Sequence, residues 1–387
     1  MKRLLFLALS VAAATPVCGQ APWRSSYFPY LYGNPTDGAV LAFRWQRTQN
    51  APYYNEGKDP EVINPLTFRG AVSTEIGAGT LGSRFLRLDV RLPGVKPGWR
   101  FQGSLGAERR GRYGYYGFGS DLDSTHQAAP NANRYRVHQE RLFARAEVTR
   151  AVAGNLRVGL GVFLDYTAFS ALPGPSLFAN RFIGSVKRGN LVVRPVVVFD
   201  SRDLEFTPNK GVLLEAGAGL GTGPEDSPGV KAAQSGYGFA YAQVKAYQSL
   251  RPGTVVAVRG LVRTLEDQAP LSARSTMLGW EREFNLAGAD GHRSFPTGAL
   301  VGTEVTLLSA EIRHDLLNVG ELGAVTLVGF ADYASVGDPD ALRAQRTSQF
   351  GGGGGVAVRV LRSAILSVNF AGGKNGFNFS MGTGWAF

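Results

Sequence analysis

The chain has 387 residues, of which 44% are hydrophobic and 18% charged, with 51 glycines, 20 prolines and a single cysteine. A disordered or collagen-like chain is excluded, and the length alone would suggest two or three soluble domains at ~150 residues each. Forty-one basic against 30 acidic side chains give a net charge of +11, while the glycine and aromatic content favours strands and tight turns over helices, where an interior glycine costs ~1 kcal/mol.

Residues 1–20 read as a signal peptide: Met1, Lys2 and Arg3 precede the short apolar run LLFLALSVAAAT, which is too short to span a bilayer, and cleavage is expected near Gly19 or Ala21. Cys18 falls inside this segment, so the mature chain is expected to have no thiol. Residues 21–37 are expected to form a short periplasmic segment ahead of the fold. From residue 38 on, nearly every stretch alternates. In FLRLDVRL (85–92) Leu86, Leu88 and Val90 share one face and Arg87, Asp89 and Arg91 the other; LRVGLGVFL (156–164) and VLAFRWQRT (40–48) repeat the pattern. Sixteen such segments are expected, beginning with 38–48 and 65–77, including 276–287 and ending with 363–373 and 376–387. Long polar stretches at 49–64, 112–138, 169–185, 223–233, 266–275, 288–300 and 336–349 are expected at one rim, and short turns at 79–81, 251–253 and 373–375 at the other. An even strand count with an arginine-rich polar face predicts an all-β fold, a 16-stranded antiparallel transmembrane β-barrel of the outer membrane filling residues 38–387 as one domain.

Several motifs together resemble the Bam/Tam-type assembly-factor superfamily, the bacterial surface antigen family. FPYLYGNPTDGAVLAF (28–43) resembles its opening strand entry, and YYGFGSDLD (115–123) its YYG stretch. FDSRDLEFTPNKG (199–211) is similar to its inter-strand turn, with Asp200, Arg202, Asp203, Pro208 and Gly211 in place. LAGADGHRSFPTGALVGTEVTLLSAEIR (286–313) resembles the long loop carrying RGF or RGY and the strand that follows. The resemblance implies that this loop folds into the lumen and that Arg293 meets wall carboxylates, here Glu311 and Asp332; Ser294 stands where the family has glycine, and His292 precedes the arginine. Gly382, Trp385 and Phe387 fit the C-terminal signal read by barrel-assembly machinery, and the aromatics suit an interfacial girdle.

The functional expectation is an outer-membrane barrel without POTRA modules that acts in insertion, translocation or envelope biogenesis. Its partners would be outer-membrane lipids, the machinery that inserts it, and a separate periplasmic POTRA-containing protein or chaperone. In the family the first and last strands form a lateral seam, expected here between 38–48 and 376–387. The alternative is a passive, anion-preferring pore or a structural surface barrel, with inward Arg44, Arg87, Arg91, Arg157, Arg259 and Arg263 favouring anions or pairing with Asp89 and Glu215. No enzyme, cofactor, metal or nucleic-acid role is expected. GAGTLG (77–82) lacks the following helix of a dinucleotide loop, the glycines at 351–355 lack the lysine of a phosphate loop and suit a wall against which a loop presses, and the four histidines lack metal spacing.

Overall fold

The computed structural model describes residues 23–34, 36–50, 68–117, 133–182, 184–223, 225–226, 236–319, 323–337, 347–360, 364–374 and 376–387. The expected signal peptide and most of the YYG stretch lie outside the described residues. The strands are β1 (Trp23–Asn34), β2 (Gly38–Asn50), β3 (Phe68–Gly79), β4 (Arg84–Lys96), β5 (Trp99–Gly114), β6 (Arg136–Ala153), β7 (Leu156–Ala171), β8 (Val186–Asp200) and β9 (Gly211–Thr222). They continue as β10 (Glu225–Asp226), β11 (Tyr237–Arg251), β12 (Thr254–Leu265), β13 (Thr276–Leu278), β14 (Glu283–Asn285), β15 (Glu304–Asn318), β16 (Gly323–Gly337), β17 (Thr347–Val360), β18 (Ala364–Gly373) and β19 (Gly376–Thr383). Two helices of five residues each, α1 (Leu177–Arg181) and α2 (Leu271–Ser275), lie in connections. Leaving out β10, β13 and β14, the strands form a nearly closed, 16-stranded antiparallel barrel.

The alternation seen in the sequence is the inside–outside pattern of this wall. On β7 Val158, Leu160, Val162 and Leu164 face outward and stay exposed on the isolated chain, as a lipid-facing belt requires. Left in water, each such side chain would forfeit roughly 1.5–3 kcal/mol of transfer free energy. Glycine has a packing role on the inner face. A Cβ at Gly217 would come within 2.6 Å of the Tyr241 ring, and one at Gly221 within 2.3 Å of the Tyr237 ring. The bare backbone of β9 is therefore the floor on which the aromatics of β11 lie.

The strand count agrees with expectation, but through two errors that cancel. Residues 276–287 are not wall; they form the small β13–β14 pair inside a long connection. Residues 21–37 are not merely a lead-in, because Trp23–Asn34 is a full wall strand, paired over its whole length with β2. FPYLYGNPTDGAVLAF is therefore a hairpin rather than a single strand entry. The added strand also reassigns the rims. The β2 end at Asn50 and the turn at 252–253 lie at one rim, whereas the turn at 80–83 and the β18 end at Gly373 share the other with the ends of β5, β7, β9, β12 and β16.

Candidate functional site

Fifteen antiparallel ladders join successive wall strands. The sixteenth, which would close the ring between β1 and β19, is absent among the described residues. The seam thus lies at Trp23–Asn34, not at 38–48. Among the described residues one hydrogen bond bridges it: the Gly33 amide donates to Met381 Sδ at 3.3 Å. Because strand N–H groups alternate in direction, the Gly33 direction assigns position 29 to the same edge, and there Pro29 has no N–H to offer. A proline on an open edge removes a donor that another strand would pair with.

What holds β19 is the long connection between β12 and β15, residues 266–303, which runs down the lumen. Its apolar side chains Met277, Phe284, Leu286 and Phe295 pack against inward Tyr241, Leu261, Leu307 and Val336. Irregular backbone buried in this way needs donors for its carbonyls, and the wall arginines supply them. Arg145 donates to the carbonyls of Gly279 and Trp280 at 2.8 Å each, and Arg194 to that of Leu278. Arg263 donates to Ala273 and Gly302 at 2.9 and 2.8 Å, and Arg259 to Asp290 at 2.7 Å. The inward arginines at 259 and 263 therefore grip backbone rather than forming an anion path. Arg87 pairs with Asp89 at 2.9 Å, whereas Glu215 accepts from Tyr241 and from the Trp280 amide, both at 2.6 Å.

The connection spans the lumen from rim to rim. At its tip Glu281 meets Arg202 at 2.8 Å and Lys245 at 2.5 Å. Burial pushes the Glu281 carboxyl up, but Arg202 and Lys245 outweigh it and hold the group well below the usual carboxylate range. Arg202 belongs to the turn at 201–210. Its guanidinium donates to both Asp200 oxygens at 2.9 Å, while Asp203 accepts from the amides of Leu204, Asn209 and Lys210 at 3.0, 2.9 and 3.2 Å. Pro208 precedes the bend, and Gly211, at φ 103°, lets the chain re-enter the wall.

Returning toward the long-connection rim, the loop reaches the lock. Arg293 Nε and Nη2 donate to Asp332 Oδ2 and Oδ1 at 2.9 Å each, and Nη1 donates to Glu311 Oε2 at 2.7 Å. The Arg293 amide adds a fourth bond to the lock, its third to Asp332, at 3.0 Å, and the guanidinium lies 3.6 Å from the Phe330 ring centroid. Glu311 is shared with Arg313, whose Nε donates at 2.6 Å. All three expected lock residues therefore meet. The departure from the family pattern is accommodated opposite it, because Ser294 presses on the glycine wall. A Cβ at Gly351 would stand 1.8 Å from Ser294 Oγ, and that hydroxyl donates to the Gly372 carbonyl at 3.1 Å.

The same stretch of the loop, residues 293–295, holds the seam strand. Asn378 of β19 donates from Nδ2 to the carbonyls of Arg293 and Phe295 at 2.7 and 3.0 Å. Sequence reading passed over Asn378, although its place on the polar face of the last strand was legible. The C-terminal aromatics depart from expectation. Gly382 stays in β19, but Gly384, at φ 103°, turns the chain inward. Ala386 and Phe387 then bury against Tyr247, Val255 and Ala257, with Arg313 4.2 Å from the Trp385 ring centroid. Trp385 and Phe387 are lumen packing, not girdle.

No family model matches the chain, and no curated protein matches it. Solved structures do. BamA from Haemophilus ducreyi lacking POTRA domains 1-3 is similar with a TM-score of 0.52 at 12% identity, over 94% of this chain and 70% of that one. CdiB from Escherichia coli is similar with a TM-score of 0.53 at 12% identity, over 93% of this chain and 59% of that one, so this chain spans less than two thirds of CdiB. The chain carries the outer-membrane β-barrel fold of BamA and CdiB.

Proposed function

We propose that this protein assists the insertion or translocation of other outer-membrane components, and that its working part is the β1–β19 seam governed by the lumen loop. The observation that supports this most directly is the Arg293–Asn378 connection. The last strand has a ladder on one side only, and its inner face is held by a loop that is itself locked to β15 and β16. Release of Arg293 frees Asn378, and β19 can then swing without breaking a sheet on its seam side. Opening would thin the local bilayer order or offer strand edges to a client. The periplasmic partner and the client belong to the same proposal. A passive pore fits less well, because a loop gripped by four arginines and reaching the far rim fills the lumen.

The test is reconstitution of the full chain in vesicles with an unfolded outer-membrane barrel as client. Acceleration of client folding, lost when Gly33→Cys and Met381→Cys are bridged across the seam by a short thiol crosslinker, supports the proposal. Equal client folding with and without the chain, or large steady conductance from the unmodified chain, overturns it.

A further inference from the structure

The outward face is apolar over most of its height, so an interruption of it is informative. Across β4–β8 the registers set Arg84 opposite Arg109, Arg109 opposite Glu140, Glu140 opposite Ala168, and Ala168 opposite Lys187. These five form one outward row across five strands, about 19 Å long at ~4.8 Å per strand. Two residues further into each strand the row reads Leu86, Ala107, Leu142, Tyr166 and Gly189. The charged row therefore marks where the apolar belt ends, at the rim that carries the long connections.

Its charges do not cancel. Glu140 stands 3.7 Å from Arg109, and both side chains are about half exposed or more, at 64% and 48%, too open for that pair to count for much. Asp226 of β10 comes opposite Lys187. The excess is thus concentrated at Arg84 and Arg109, like charges directly opposite on adjacent strands, an arrangement that destabilises a sheet on its own. An anion between the two guanidinium groups removes the repulsion and accepts charge-assisted hydrogen bonds from both. With lipid-facing Leu86 and Leu142 one row below, the anion that satisfies both layers is the phosphate of a lipid. We infer that Arg84 and Arg109 dock the phosphorylated headgroup of an outer-leaflet lipid, whose acyl chains lie over the belt beneath. This inference rests on the barrel alone and not on an assembly role.

The experiment titrates the full chain, refolded in detergent micelles, with bis-phosphorylated lipid A, its dephosphorylated counterpart and inorganic phosphate, and counts bound lipid by native mass spectrometry. The phosphorylated lipid should be retained. Arg84→Gln with Arg109→Gln should weaken retention on the order of 30-fold, from two surface charges. Arg150→Gln, on the outward face near the opposite rim where Arg150 covers the Trp99 ring, should leave retention unchanged. Heat-modifiable gel mobility verifies that each variant is folded. Equal retention by the double variant, or by the dephosphorylated lipid, overturns the inference. Displacement of lipid by equimolar inorganic phosphate would assign a simple anion site and overturn it as well.

Discussion

Replacing Arg293 by alanine removes three side-chain hydrogen bonds of 2.7–2.9 Å from a position that is 1% exposed. The consequences for the two carboxylates differ. Glu311 keeps Arg313, whereas among the described residues Asp332 is left buried with the Arg293 amide as its one donor, and that amide belongs to a loop no longer anchored. Leaving a buried charge without its partner costs about 3–5 kcal/mol, of which the larger part falls on Asp332. Arg293→Ala should therefore lower stability by about that amount in urea titrations read by the folded and unfolded gel bands. Adding Asp332→Ala should recover a large share, since the orphaned charge goes with it, whereas adding Glu311→Gln should recover little. A loss below about 0.5 kcal/mol for Arg293→Ala, or a double variant no better than the single, would refute the reasoning, because neither outcome is compatible with a desolvated pair.

Asn378→Ala should leave the lock intact yet loosen the seam strand, so β19 amides should exchange faster while those of β15 and β16 do not; equal protection throughout would separate the loop from the seam. Gly351→Ala places a methyl carbon against Ser294 and should unseat the loop, and Ser294→Gly in the same chain should restore much of the lost stability; no rescue would mean that the contact is incidental. Acid should act through Glu281. Its folded pKa is depressed, so its contribution is present above the unfolded value near 4.5 and is lost as pH falls through the lower folded value. Loop release, read as conductance in planar bilayers, should therefore rise steeply only below about pH 4. Glu281→Gln should conduct more at neutral pH and lose that acid dependence; an unchanged acid profile would remove Glu281 from the account.

The wall was legible because lipid on one side and a polar lumen on the other impose strict period-2 alternation, and Leu86 against Arg87 is enough to orient β4. The lock was legible only through resemblance, since nothing in the spacing of Arg293, Glu311 and Asp332 joins them. Alternation failed in two places for physical reasons. Residues 276–287 alternate because β13 and β14 also have one packed and one polar face, but that face meets lumen wall instead of lipid. Residues 21–37 were expected as a periplasmic lead-in, yet Trp23–Asn34 is an edge strand of the wall, a position that tolerates the missing donor at Pro29. Arg87 pairs with Asp89 as expected, whereas Arg259 and Arg263 were correctly placed and wrongly employed, because no sequence signal shows that their partners are loop carbonyls such as those of Ala273, Asp290 and Gly302.

The arginine grip also has a consequence in time. Arg263 reaches carbonyls 10 to 39 residues away along the chain, and Arg293 finds Glu311 at 18 and Asp332 at 39, whereas Arg145 meets Gly279 and Trp280 at 134 and 135. Short closures cost less chain entropy than long ones. The loop should therefore dock first on β12, β15 and β16, with β5–β8 wrapping around that C-terminal half afterwards. On that schedule β1 reaches β19 last, and the loop is already enclosed when it arrives. Pulse-labelled hydrogen exchange should record protection spreading from β15 toward β1, so the gap in the finished ring is where its construction stopped.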